Sequence, residues 1–83
     1  MRGDDELDPY SPVPLYEQLA GRLRTRIGRG EWRRLPGEES LAGQYQCSRD
    51  TVRRALGELR AEGLIVSTRG RGTFVVPPPR EPS

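Results

Sequence analysis

The residues best suited to chemistry are arginines, hydroxyl side chains and glycines, and they are concentrated in two short segments. An arginine guanidinium presents a fixed positive charge and a planar fork of N–H donors that matches a phosphate or the edge of a guanine base. Both segments therefore favour contact with a polyanion such as duplex DNA. The first segment contains Ser48, Arg49, Asp50, Thr51, Arg53 and Arg54. The second, the wing turn, consists of Arg69, Gly70, Arg71 and Gly72.

The overall charge is consistent with such a partner without identifying it. All 14 basic residues are arginine, against 12 acidic residues, and the net charge is +2. Residues 1–10 set Arg2 against four carboxylates and carry −3, so the rest of the chain carries +5. This distribution favours a polyanion. A chain in which arginine replaces every lysine is also typical of a GC-rich genome.

Several kinds of function are disfavoured by what the 83 residues lack. The sequence has no histidine and one cysteine, Cys47, which excludes an internal disulfide and a zinc site with ordinary ligands. Without a histidine, a phosphate-binding glycine loop or paired carboxylates, enzymatic activity and a bound cofactor are not expected. No apolar run approaches the length of a membrane span, and the acidic N-terminus does not resemble a secretory signal. We expect a cytoplasmic, metal-free protein in which Cys47 is a packing residue.

Two helices are predicted in the first half of the domain. The first begins near Pro14 and ends at Gly28 or Gly30, because an apolar residue recurs at every fourth position. A connector at 31–37 precedes the second helix, which begins after Gly37 and is short. The apolar positions are Leu15, Leu19, Leu23 and Ile27 in the first helix, and Leu41, Ala42 and Tyr45 in the second.

The third helix is predicted from its ends and from its apolar face. Ser48 is a favourable N-cap residue, and Gly63 ends the helix. The basic and acidic side chains lie opposite the apolar face, with Arg49 near the border. The apolar face contains Val52, Ala55, Leu56 and Leu59.

A β-hairpin is predicted after the third helix. Two β-branched runs, at 64–68 and 73–76, flank the wing turn, whose glycines can adopt a positive φ. Three helices followed by a two-stranded hairpin predict an α+β fold, the winged helix-turn-helix, over residues 14–76. Residues 1–13 are expected to form a disordered acidic arm, and residues 77–83 a proline-rich linker or tail.

The spacing of the second and third helices also fits a helix-turn-helix. Ala42 allows close crossing of the two helices, and Val52, ten positions later, fills the crossing. The turn commonly requires a positive φ four residues after the alanine, where this sequence has Gln46. A residue with a Cβ carries about 1 kcal/mol of strain in that conformation.

In a helix-turn-helix the first turns of the recognition helix enter the major groove. Arg49 and Arg53 lie one turn apart there and can reach base edges or phosphates, while Ser48 and Thr51 suit a phosphate. The alternative is a solvated surface helix, and for Arg54 the two interpretations are evenly balanced. The wing turn suits a minor groove, which attracts arginine.

Protein binding is the alternative to DNA binding for this fold, and the composition of the wing turn does not by itself decide between ligands. A winged helix can bind a protein, but the charged outer face of the third helix argues against the apolar patch that this requires. The wing-turn sequence also occurs in disordered RNA-binding segments, so its position between two strands matters more than its composition.

The combination of motifs resembles the DNA-binding domain of GntR-type bacterial transcription regulators, especially the HutC-like branch. The resemblance covers residues 14–76 and implies dimeric repressors that bind a palindromic operator and are released by a small ligand. It also implies that Arg49 and Arg53 contact bases or phosphates, that Ser48 and Thr51 support them at the backbone, and that Arg69 and Gly70 contact the minor groove. The motifs are Pro14-Leu15-Tyr16, Leu35-Pro36, Leu41-Ala42, Ser48-Arg49, Thr51-Val52-Arg53-Arg54-Ala55-Leu56, Leu59, Glu62-Gly63-Leu64 and Gly70-Arg71-Gly72-Thr73-Phe74-Val75.

Three departures from the family pattern are present. Gly37 replaces a serine cap, Glu39 replaces an arginine that contacts DNA in the family, and the loop after Trp32 is about three residues shorter than the turn of Pro-Pro-Gly type seen in the family. Family members continue into a C-terminal effector and dimerisation domain. A small-molecule effector is therefore expected only if such a domain exists outside this chain, which is either an excised domain or a short regulator.

Overall fold

Helical spacing of apolar residues produces three helices, and two β-branched runs produce a hairpin. The computed structural model describes residues 6–77. This order confirms the predicted α+β architecture of three helices followed by a hairpin. Residues 1–5 of the predicted arm and 78–83 of the predicted tail lie outside the described residues. The elements are α1 (Leu15–Gly28), α2 (Glu38–Tyr45), α3 (Arg49–Ala61), β1 (Ile65–Thr68) and β2 (Gly72–Val75).

Left-handed residues follow each helix. Gly30 after α1 and Gly63 after α3 have φ values of 75° and 77°, which glycine adopts without a steric penalty. At the end of α2 the corresponding residue is Gln46, with φ 53° and ψ 53° and its backbone N–H donated to the carbonyl of Ala42. The positive φ predicted at this turn is therefore confirmed, on a residue that has a Cβ.

The core is centred on α3, which packs against α1 on one side and α2 on the other. Val52, Ala55 and Leu59 have no exposed surface, and Leu56 is 5% exposed, so the predicted apolar face of α3 is confirmed. Burying a valine or leucine side chain contributes about 1.5–3 kcal/mol. The other fully buried side chains are Leu19, Leu23 and Leu41.

A short extended segment that the sequence does not predict pairs with the hairpin. The two hairpin strands are antiparallel, with Ile65 opposite Val75 at the base and Thr68 opposite Gly72 at the turn. Residues 33–35, here called the connector strand, lie along the free edge of β2. The Leu35 N–H donates to the carbonyl of Thr73 at 2.9 Å, the Val75 N–H donates to that of Arg33 at 2.8 Å, and Arg34 pairs with Phe74. The sequence predicts only a connector at 31–37, because three residues are too few to show strand periodicity.

The described part of the N-terminal arm makes specific contacts with α1. The Gln18 side chain accepts from the N–H of Asp8 at 2.7 Å and donates to the carbonyls of Asp8 and Val13 at 2.9 and 2.7 Å. Leu7 packs against the core. One amide side chain therefore satisfies three backbone groups of this segment. The division of the chain at residues 13 and 76 stays a prediction.

Two classes of feature are absent from the described part of the chain. Within residues 6–77 no helix is both long enough and apolar enough to cross a bilayer. The same residues contain no group of three or more side chains able to ligate a metal ion.

Candidate nucleic-acid interface

The start of α3 is fixed by a side-chain cap. Ser48 has an extended backbone, and its Oγ accepts the N–H of Thr51 at 3.1 Å, as expected of an N-cap residue. The hydroxyls of Ser48 and Thr51 lie 2.9 Å apart. Both hydroxyls therefore lie at the positive end of the helix dipole, where an anion is stabilised.

The two arginines predicted to contact DNA lie opposite two carboxylates of α2. Arg53 donates from Nε to Glu38 Oε1 at 3.1 Å and from Nη1 to Asp50 Oδ1 at 3.3 Å. Arg49 Nη2 lies 4.0 Å from Glu39 Oε1. The side chains of Arg53 and Arg49 are 58% and 61% exposed, so these ion pairs are screened by water and weak. The arginines remain accessible to a ligand.

Arg54 contacts α1 through the ring of Tyr16. Its guanidinium carbon lies 4.2 Å from the centre of the Tyr16 ring, a distance typical of a cation–π contact. The structure thus gives Arg54 an intramolecular role at the junction of α1 and α3.

The wing turn has the backbone that its glycines predict. The N–H of Arg71 donates to the carbonyl of Thr68 at 3.0 Å, and Gly70 and Gly72 have φ values of 76° and 114°. Arg69 and Arg71 are exposed, and neither side chain has a hydrogen bond or ion pair with another described residue. The turn therefore carries two guanidinium groups that remain available to an anion.

A polar contact connects the wing to α3. Arg60 donates from Nη2 to Ser67 Oγ at 2.7 Å, and Ser67 Oγ lies 3.4 Å from Thr73 Oγ1. Ser67 and Thr73 are cross-strand partners on β1 and β2. Helix α3 and the hairpin are therefore joined by side chains as well as by the short link at 62–64.

Sequence reasoning missed two residues beside the predicted site. Glu38 was an N-terminal residue of a short helix, and nothing in its local sequence indicated that it would pair with Arg53. Arg34 was part of an irregular connector, yet in the structure its side chain lies against Gly72 of the wing turn. Both juxtapositions depend on contacts distant in sequence.

An ion pair away from the candidate interface holds α1 to the end of α3. Arg24 donates to Glu62 from Nε at 2.8 Å and from Nη2 at 2.6 Å, in a bidentate arrangement. The hydrogen bonds from Arg24 hold the pKa of the Glu62 carboxyl below its ordinary value. The same contact raises the pKa of Arg24.

Cys47 occupies a packing position, as expected. It is partly buried and packs against the core, and burial raises the pKa of its thiol. The uncharged thiol is therefore the form present at neutral pH, and it is a poor nucleophile.

Comparison with known proteins places this arrangement in one family. The family model described as bacterial regulatory proteins, gntR family, matches residues 15–75. The chain is 44% identical over 78 residues to the HTH-type transcriptional repressor NagR of Bacillus subtilis, covering 90% of this chain and 32% of that protein. It is 44% identical over 71 residues to the histidine utilization repressor of Klebsiella aerogenes, covering 82% of this chain and 30% of that protein. The chain thus spans about a third of the length of these relatives.

A solved structure shows the same fold. The AraR DNA-binding domain in complex with operator ORX1 superposes with a TM-score of 0.78 at 35% identity, covering 86% of this chain and 94% of that one. These relatives are regulators or DNA-binding domains, in agreement with the non-enzymatic interpretation of the sequence. The three helices and hairpin are thus a winged helix-turn-helix, and the chain belongs to the gntR family of bacterial regulatory proteins.

Proposed function

We propose that this chain binds double-stranded DNA sequence-specifically and is the DNA-binding domain of a bacterial transcriptional regulator, with repression as its mode. The helix at 48–62, which contains α3, reads the major groove. The wing turn, Arg69–Gly72, enters the adjacent minor groove.

The observation that carries this proposal is the division of α3 into two faces. One face is buried, whereas the first two turns of the other present Arg49 and Arg53 to solvent. An arginine that contacts a guanine through two hydrogen bonds contributes about 1–3 kcal/mol of discrimination. The structure of the related AraR domain was solved with operator DNA, which supports the same use of this fold here.

The exposed apolar residues do not favour protein docking on α3. Among residues 6–77 the exposed large apolar side chains all lie on other elements, so the outer face of α3 offers charge without an apolar patch. They are Tyr10, Val13, Val66 and Val76.

The proposed roles follow from the environment of each residue. Arg49 and Arg53 contact bases or flanking phosphates, and Asp50 orients Arg53. Ser48 and Thr51 bind a phosphate at the start of the helix. Arg54 supports the fold through its contact with Tyr16 and touches DNA only at the margin of the site. In the wing turn, Arg69 and Arg71 supply charge, and Gly70 and Gly72 allow close approach.

Selection from a random duplex library followed by fluorescence anisotropy tests this proposal. The chain should enrich a defined site, here called the selected duplex, and bind it more tightly than a mixed-sequence duplex, with affinity that falls steeply as salt rises. Arg53→Ala should remove most of that selectivity. Arg29→Ala removes the same charge at the end of α1 and should leave the selectivity unchanged. Equal affinity for all duplexes would contradict sequence-specific binding, and no binding at low salt would contradict the DNA-binding function itself.

The assembly on DNA and the regulation belong to the same proposal. Two chains should bind a palindromic operator through its two half-sites, which predicts a two-fold symmetric selected duplex with two chains bound per site. The isolated chain should be a monomer or weak dimer by sedimentation. A small-molecule effector would act through a domain outside this chain. The proposed compartment is the bacterial cytoplasm, where the nucleoid lies.

A further inference from the structure

The connector strand places one arginine beside the wing turn. The backbone of residues 33–35 is fixed to β2 by the Leu35 and Val75 hydrogen bonds, at 2.9 and 2.8 Å. Arg34 is the residue that pairs directly with Phe74, two positions beyond Gly72 along β2. Its position relative to the wing is therefore set by backbone pairing, although 35 or more residues separate it from the wing turn in sequence.

The side chain of Arg34 occupies space that exists because residue 72 is a glycine. A Cβ built on Gly72 would lie 2.8 Å from Arg34 Nε and 3.2 Å from Nη2. Gly70, by contrast, has no atom within 4 Å of a Cβ built in the same way. The end of the Arg34 side chain thus lies against Gly72 at the base of the turn, and a Cβ at position 72 would require that end to shift.

Arg34 and the arginines near it have no hydrogen-bond, ion-pair or ring partner within residues 6–77. Two of the 14 arginines, Arg2 and Arg80, lie outside the described residues, which leaves twelve. Eight of these have a hydrogen bond, ion pair or ring contact. The four that have none within residues 6–77 all belong to the connector strand or the wing turn. They are Arg33, Arg34, Arg69 and Arg71.

Unpaired guanidinium groups grouped on one part of a surface repel one another and favour an anionic ligand. Five arginines on or next to the helices have a carboxylate within 4 Å, whereas no arginine of the connector strand or wing turn has one among residues 6–77; the five are Arg24, Arg26, Arg29, Arg49 and Arg53. A phosphate is the expected ligand for Arg34 because the residue lies at the base of the turn and not at its tip. Contacts of this kind position a protein on DNA without reading sequence.

We propose that Arg34 is a DNA-phosphate contact that widens the wing's footprint, and that Gly72 is required to hold it there. The inference rests on the proposed DNA-binding function and extends it to a residue outside the recognition helix and the wing turn. The backbone phosphate flanking the groove entered by the wing is the ligand.

Salt-dependent titration with a mixed-sequence duplex tests the contact. Loss of one phosphate contact makes the negative slope of log affinity against log salt less steep by about 0.9. The ratio of the affinity at about 50 mM salt to that at about 200 mM then falls by about 3-fold. Arg34→Gln should show this loss, and Arg34→Lys should restore it because the charge is kept. The matched control, Arg29→Gln, removes the same charge from the C-cap of α1 and should leave the slope near that of the unsubstituted chain.

A double-mutant cycle tests the role of Gly72. Gly72→Ala should weaken binding in the unsubstituted chain but much less in the Arg34→Gln background, because the contact it disrupts is already gone. Gly70→Ala also places a Cβ at a positive φ, but it has no contact with Arg34, so its effect should be the same in both backgrounds. The proposed role of Gly72 would be overturned if Gly72→Ala weakened binding equally in both backgrounds, or if Gly70→Ala depended on Arg34 as strongly as Gly72→Ala does.

The two levels of the proposal fail in distinguishable ways. If the unsubstituted chain does not bind either duplex at low salt, DNA binding itself is refuted. If the chain binds and Arg53→Ala loses selectivity, but Arg34→Gln and Arg29→Gln give equal slopes, only the Arg34 contact is refuted. Circular dichroism should show the Arg34 and Arg29 variants folded, since both side chains are exposed. If Arg34→Gln unfolds, Arg34→Ala takes its place, and equal slopes for Arg34→Lys and Arg34→Ala would refute the contact.

Discussion

Arg53 is held by two carboxylates in the free chain, and this affects how it can meet DNA. Glu38 engages its Nε and Asp50 its Nη1, while Nη2 has no partner within residues 6–77. A phosphate that approaches Arg53 also meets the negative charge of Glu38, whereas a guanine edge carries no net charge. We therefore expect Glu38 to favour contact with a base over contact with a phosphate.

Replacing Glu38 tests this expectation. Glu38→Gln removes the repulsion and should raise affinity for a mixed-sequence duplex by up to about 5-fold, since an exposed ion pair contributes about 0.2–1 kcal/mol. The ratio of affinities for the selected and mixed-sequence duplexes should fall, and anisotropy titration measures both. Glu31→Gln is the control, because Glu31 also pairs with arginines but lies after α1. An unchanged ratio in Glu38→Gln would contradict this role.

Local rules predict some residues of the site and not others. Ser48 was predicted as an N-cap because its residue type and its position before an apolar stripe suffice, and its hydrogen bond to Thr51 confirms it. Arg34 and Glu38 could not be predicted, because their surroundings come from residues far away in sequence. Which charges are paired is thus the part of the site that the sequence alone does not reveal.

At the scale of the elements, the turn between α2 and α3 is strained at one residue. Gln46 is the only residue other than glycine with a positive φ in the described chain. Gln46→Gly should raise the free energy of unfolding by about 0.5–1 kcal/mol, because relief of strain exceeds the added backbone entropy of the unfolded state. Gln44→Gly, inside α2, makes the same chemical change and should lower that free energy by about 1 kcal/mol. Urea denaturation measures both, and effects of the same sign would contradict the strain at Gln46.

The link between α1 and α3 should make stability depend on pH. The pKa of Glu62 is lower in the folded chain because Arg24 stabilises the carboxylate. This group therefore stabilises the fold at pH values above its ordinary pKa, near 4.5, and the contribution is lost as the pH falls through the lowered pKa. The contribution is small because both side chains are exposed.

Glu62→Gln tests this link. The variant should have a slightly lower melting temperature at neutral pH and a weaker dependence of melting temperature on pH through the acid range. Thermal unfolding followed by circular dichroism at several pH values measures it. Glu17→Gln, which removes an exposed carboxylate without an ion-pair partner in the described chain, is the control. Identical pH dependence in the two variants would show that the Arg24–Glu62 pair contributes nothing specific.

The elements themselves were largely predictable, and the exceptions share a cause. The leucines at every fourth position of α1 and the stripe of α3 are periodic signals long enough to identify a helix. The connector strand has three residues and no alternation, so only its pairing with β2 defines it. The contacts of Gln18 with the N-terminal segment likewise depend on one long-range side chain, which composition cannot reveal.

At the scale of the molecule, charge is divided between two regions. Most arginines of the helices pair with nearby carboxylates or rest on aromatic rings, as Arg26 does on Trp32 at 4.2 Å, and Arg22 and Arg60 donate to neutral oxygens. Those of the connector strand and wing turn do not have such partners among the described residues. Within the described residues, most of the positive charge on the helices thus has a partner in the chain, whereas the positive charge of the connector strand and wing turn has none. Electrostatic attraction to a polyanion should therefore act first through the wing, before α3 reads bases.

The small core leaves little reserve of stability. The free energy of unfolding of a chain of this length is about 4–12 kcal/mol. Leu23 lies on α1 and is fully buried in the core. Leu23→Ala should lower the free energy of unfolding by about 2–5 kcal/mol. We expect the melting temperature to fall by at least about 8 °C. Val66→Ala, at a residue that is 48% exposed on the hairpin, should change stability by less than about 1 kcal/mol.

The same two variants separate stability from recognition. Leu23 does not belong to the proposed interface, so Leu23→Ala at low temperature, where the chain remains folded, should bind the selected duplex with nearly unchanged affinity. The duplex should also raise its melting temperature, because a ligand that binds only the folded chain stabilises it. Thermal unfolding with and without the selected duplex measures this rise. Loss of DNA binding by a folded Leu23→Ala variant would contradict the separation of the core from the proposed interface. Equal destabilisation by Leu23→Ala and Val66→Ala would contradict a core centred on α1 and α3.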